Sequence, residues 1–133
     1  MKTKVLYIFM FLCISINAQQ NAEKEVNRFF ATYQKQPEKA VRDLYQKNKW
    51  SAEVSKDIDY IVEVVNNLPP SMGKYLGKEK LKQEKIGTVL IKYTYMVKYE
   101  RQPVFFYFIF YKSQKQWIIH SFSLNDKLDK FFN

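Results

Sequence analysis

Val26, Phe29, Phe30 and Tyr33 recur at i, i+3, i+4 and i+7, which puts four bulky apolar side chains on one face of a helix. Asn21 stands where a cap would start that helix, and Glu23 and Glu25 sit near the positive end of its dipole. Pro37 stops it and opens a second helix at its first turn, with Ala40, Val41, Leu44 and Tyr45 as the apolar stripe. Asn48, Lys49, Trp50 and Ser51 read as a connection. Ser55 then caps a third helix whose Ile58, Ile61, Val62, Val65 and Leu68 fall within an arc of ~120°. Pro69 and Pro70 are expected to end it, because proline removes a donor and bars its predecessor from the helical region.

The period then falls to two. Over residues 74–82 the even positions are Lys74, Leu76, Lys78, Lys80 and Lys82, a lysine-lined face that suits an edge strand protected against stray pairing. A helix over 78–85 is the alternative. Past Gly87, residues 88–100 alternate: Val89, Ile91, Tyr93, Tyr95, Val97 and Tyr99 share one face, and Leu90, Lys92, Thr94, Met96 and Lys98 the other. After a tight Arg101-Gln102-Pro103 connection, residues 104–111 are apolar on both faces, which predicts a central strand covered on both sides. Residues 116–124 form a last strand, followed by a short tail with Phe131 and Phe132. The expected class is α+β, with N-terminal helices packed on a curved four-stranded antiparallel sheet. Helices bury one face of 104–111 and leave the other to be covered. A homodimer through the sheet face, or strong curling of the sheet, is therefore expected.

Residues 1–18 have the layout of a secretory signal: Lys2 and Lys4, then an apolar run over 5–16, then Ala18 ahead of Gln19 and Gln20. The run is shorter than the ~20 residues that span a bilayer. Cleavage after Ala18 leaves a single domain, 19–133, with no transmembrane segment, exported to the periplasm or beyond. The one cysteine, Cys13, goes with the leader, so the mature domain has no disulfide and no thiolate metal site, and must rest on its core.

The full chain has 22 Lys and Arg against 13 Asp and Glu, a formal net charge of +9. Loss of Lys2 and Lys4 leaves it basic. The basic residues are spread out and mixed with acids, which reads as a solvated surface. An anionic envelope component is the alternative partner. Export argues against nucleic acid.

The segment Met72-Gly73-Lys74-Tyr75-Leu76-Gly77, residues 93–103 (YTYMVKYERQP), residues 106–111 and Trp117 together resemble small exported bacterial proteins of the nuclear transport factor two-like superfamily. That resemblance implies a curved antiparallel sheet wrapped around N-terminal helices into a cone. The chain departs from a full-length cone in lacking an extra early strand or hairpin between the helices. Enzymes of that superfamily pair acids with His or Tyr inside the cone, so a small-molecule isomerase or dehydratase using tyrosines with His120 is the catalytic alternative.

Tyr93, Tyr95, Tyr99 and Tyr107 are candidate ligand-binding residues that would line a pocket for a small apolar molecule; read as core, they pack with hydroxyls at the rim. His120, the single histidine, has Ile118 and Phe122 as expected same-face neighbours and no acid at alternating spacing. No phosphate loop, nucleophile elbow or zinc pair occurs, and no cofactor or metal is implied. The sequence favours a non-enzymatic binding or assembly domain.

Overall fold

The computed structural model describes residues 14–132. The apolar run and Cys13 on which the leader reading rests lie largely outside them. Helix α1 (Ile14–Tyr33) continues through Ala18 and Asn21, so Asn21 is inside a helix rather than capping one. α2 (Pro37–Tyr45) begins at its proline as expected and buries Ala40, Val41, Leu44 and Tyr45. A 3-10 turn (Ser51–Val54) leads into α3 (Ser55–Met72), which buries Ile58, Val62, Val65 and Leu68.

Pro69 and Pro70 do not stop α3; they occupy its final turn. This turn is held by two local bonds and by one from the Arg101-Gln102-Pro103 connection. The Gly73 amide bonds to Pro69 O at 3.0 Å, the Ser71 hydroxyl donates to Asn67 O at 2.7 Å, and the Arg101 amide donates to Met72 O at 2.9 Å. Gly73 then turns the chain at φ 84° and ψ −161°, a region close to glycine-only. A Cβ there would also meet Glu100 Cβ at 2.9 Å.

Four strands follow: β1 (Tyr75–Ile86), β2 (Leu90–Tyr99), β3 (Pro103–Tyr111) and β4 (Ile118–Asn125). They pair antiparallel in the order β1-β2-β3-β4, so β1 is an edge and the aromatic β3 is interior, as the pattern predicts. The class is α+β, and the sheet is curled without closing. Register shifts between Tyr75 and Gly77, between Lys80 and Lys82, and opposite Ile109/Phe110 contribute to the curl, since an inserted residue raises local twist.

Two of these shifts correct the alternation read from sequence. Lys78 and Lys80 pair with Val97 and Tyr95, on the helix side of the sheet, whereas Lys82 pairs with Thr94 on the outer side. The lysine row is thus split at Leu81. In β4, Phe110 pairs with Ile119 and Ile109 with Ser121, which leaves His120 as the extra residue. Ile119, not Ile118, therefore joins Phe122 in the core.

The core lies between α1 and the inner face of the sheet. Phe29, Phe30 and Tyr33 from α1 meet Tyr95, Phe106, Phe108 and Phe122 with ring centroids between 5.0 and 6.2 Å apart. Most of these pairs are edge-to-face or tilted, the arrangement that ring quadrupoles prefer. α2 reaches the free side of β4. Its Tyr45 hydroxyl accepts the Phe122 amide at 3.0 Å, and Asn48 Nδ2, just beyond it, donates to Ile119 O at 2.9 Å. Backbone groups on either side of the His120 insertion thereby gain partners.

The outer face is covered in part by the chain's own tail. Phe131, in a 3-10 turn (Asp129–Phe131), lies on Phe105 with centroids 4.2 Å apart. The Lys130 ammonium is 4.6 Å from the Tyr107 ring centroid. Asp126 accepts from Gln102 Nε2 at 3.2 Å and ties the tail to the β2–β3 hairpin. Phe105 and Tyr107 are accordingly buried within one chain.

Candidate functional site

The five residues singled out from sequence do not converge. Tyr93, Tyr95 and Tyr99 project from β2 toward the helices, Tyr107 projects from β3 to the opposite face, and His120 is exposed on the bulge. Tyr93, Tyr95 and Tyr99 are core residues, and Tyr107 is buried on the outer face.

Their hydroxyls differ. Tyr99 shares a 2.6 Å hydrogen bond with Tyr33, which sequence reading placed on the helical stripe without a polar role. Burial pushes the Tyr99 and Tyr95 phenols up to about 12, and pushes Tyr33 and Tyr93 up as well. These groups therefore stay protonated at neutral pH and offer no base. The Tyr93 and Tyr107 hydroxyls are buried without a partner among the described residues.

The carboxylate facing Tyr93 and Tyr95 is Glu23 of α1, whose charge adds to the upward shift of both phenols. It is 38% exposed and paired with Lys80 at 2.9 Å, and Lys80 also lies 5.5 Å from the Tyr93 ring. This cluster is a closed ion pair at the rim of the core, not a buried acid poised over a substrate. Sequence read Glu23 as a helix-dipole acid and Lys80 as part of a lysine-lined strand face, and only the register of β1 brings them together.

On the helix side, Arg42, Asp43, Tyr45, Gln46, Ser51, Ser55 and Ile58 line an open groove of about 400 Å³ between α2 and the start of α3. Arg42 is already bonded to Glu38 and Asp59, each at 3.0 Å, so its charge is committed. Among the described residues no group of three or more His, Cys, Asp or Glu is placed to hold a metal ion, and no helix is long and apolar enough to cross a membrane.

The outer sheet face is the surface left over. Its tail-covered half carries Phe105 and Tyr107, the latter with Lys92 at 5.1 Å and Lys130 at 4.6 Å from its ring. The other half is open. Ile86, Leu90, Tyr111 and Ile118 are directly paired across β1, β2, β3 and β4 and form one apolar row. Ile86 is 72% exposed and Tyr111 45%, and Val89 in the adjoining turn is 40% exposed. A search for related proteins finds no matching family model, no matching curated protein and no matching solved structure.

Proposed function

We propose that this chain is an exported, non-catalytic domain that works by binding or assembly through its surface. The observation that carries the reading is the packed interior. Where a cone-shaped enzyme would hold its substrate, Phe29, Phe30, Tyr33, Tyr95, Phe106, Phe108 and Phe122 touch ring to ring. Likeness to the nuclear transport factor two-like cone draws support at the level of layout alone, helices first and then a curled antiparallel meander. Export draws support from the residue pattern of 1–18.

The packed interior also shifts the two expected partners. A small apolar ligand has no room beside Tyr93, Tyr95 and Tyr99 without displacing core rings. A second copy loses the original reason for its place, since Phe131 and Lys130 already cover Phe105 and Tyr107. What is left for a partner is the open half of the outer face.

Native mass spectrometry of the purified protein tests the reading. The expected result is a chain free of any retained small molecule. A stoichiometric apolar adduct, or a turnover of small carbonyl compounds abolished by Tyr93→Phe or His120→Ala, overturns it and restores the isomerase or dehydratase alternative.

A further inference from the structure

We propose that the open end of the outer sheet face docks on an anionic lipid surface. This rests on the surface-binding reading above and names the partner. The row Ile86–Leu90–Tyr111–Ile118 takes one side chain from each strand, so it spans the full width of the sheet. It has the form of a ledge, wide and shallow, rather than a cleft that would grip a peptide.

Two connections flank the ledge at the same end: the turn after β1, with Val89, and the loop after β3. They are held side by side by the Lys112 amide bonding Val89 O at 2.9 Å. Residues 84–92 and 111–118 contain Lys92, Lys112 and Lys115 at this end, with Lys85 on the other face opposite Ile91 and the single acid Glu84 paired across from Lys92. An apolar strip exposed at Ile86, Val89 and Tyr111 and half-buried at Leu90 and Ile118, with cations beside it, matches the boundary between acyl chains and charged headgroups. Apolar groups enter, tyrosine sits at the polar level, and lysines meet the anionic surface.

Charge decides between this partner and a second copy. Two ledges placed face to face would bring lysine borders together in an apolar setting, on a chain that stays basic after loss of Lys2 and Lys4. An anionic surface reverses the sign of that interaction. Further along the same face, Lys82 and Lys130 add to the positive field around Phe131 and Tyr107.

The test is co-sedimentation of the full chain with vesicles of equal parts phosphatidylglycerol and phosphatidylcholine, against phosphatidylcholine alone. Residues 5–16 are themselves apolar, so binding is read as differences among variants that all share them. The wild type is expected to prefer anionic vesicles and to be released as salt shortens the screening length. Ile86→Ser with Tyr111→Ser should weaken binding by about tenfold or more, from two apolar side chains no longer buried. Lys112→Gln with Lys115→Gln should weaken it about fivefold per charge. Lys35→Gln with Lys56→Gln, an equal charge loss on the helix side, should leave it unchanged.

The altered side chains are exposed except the half-buried Lys112, and circular dichroism checks that each variant is folded. Equal loss from the helix-side pair, or wild-type binding by the Ile86/Tyr111 variant, overturns the proposal. So does a dimer that depends on Ile86 and Tyr111 without vesicle binding. That last result would put a second copy on the ledge and leave the broader surface-binding reading standing, whereas a catalytic turnover would remove both.

Discussion

The Tyr33 and Tyr99 hydroxyls lie 2.6 Å apart inside the core, joining the end of α1 to the end of β2 across 66 positions of sequence. Each is the other's hydrogen-bond partner at a place shielded from water. Tyr99→Phe strands the Tyr33 hydroxyl and should cost about 1–3 kcal/mol. Tyr33→Phe with Tyr99→Phe should cost less than the two single changes added together. Urea unfolding of the four proteins closes the cycle.

The same burial sets a pH dependence. Tyr33, Tyr93, Tyr95 and Tyr99 all have folded values above the ordinary 10.0, so the unfolded chain loses these protons first as pH rises. The stability tied to their neutral forms is fully present below pH 10 and is lost above it, toward the folded values of about 12 and beyond. A thermal midpoint that is insensitive to these groups up to pH 10 and falls steeply above it is expected. Tyr99→Phe should make that fall shallower.

Gly73→Ala tests the junction between α3 and the sheet. The backbone there has φ 84°, and the new Cβ meets Glu100 Cβ at 2.9 Å. Glu100 also accepts the Lys74 amide at 2.7 Å, so its movement breaks a second contact. A loss of about 1–3 kcal/mol from backbone strain alone is expected in urea unfolding.

Tyr45→Phe removes the acceptor of the Phe122 amide without changing the ring. The buried N–H left behind should cost about 1–3 kcal/mol. Amide exchange at Phe122 should speed up more than at Phe108, its paired residue in the interior strand.

Phe131→Ala uncovers Phe105. An aromatic contact of this kind contributes about 0.5–1.5 kcal/mol beyond its area. Greater binding of a hydrophobic dye, with the sheet retained by circular dichroism, is the expected outcome.

Much of the fold was legible because its periods are simple. The alternation of Ile91, Tyr93, Tyr95, Val97 and Tyr99 marks the buried face of β2, and the two-sided apolarity of 104–111 marks an interior strand. What was not legible came from single insertions and from distant partners. Leu81 and His120 carry no residue-type signature of a bulge, yet each shifts the phase of its strand. Pro69 and Pro70 read as a stop because the donor that steadies the end of α3 is Arg101, far along the chain. The candidate site followed the same rule. The tyrosines could be recognised as core from their spacing, but Tyr33, which bonds the Tyr99 hydroxyl, and Glu23, whose charge faces Tyr93 and Tyr95, come from α1, and the cover over Tyr107 comes from Lys130.

Phe131, which shields Phe105, is synthesised 26 residues after it. Until Phe131 leaves the ribosome, a nascent copy has nothing from the tail to lay over that strip of aromatic surface.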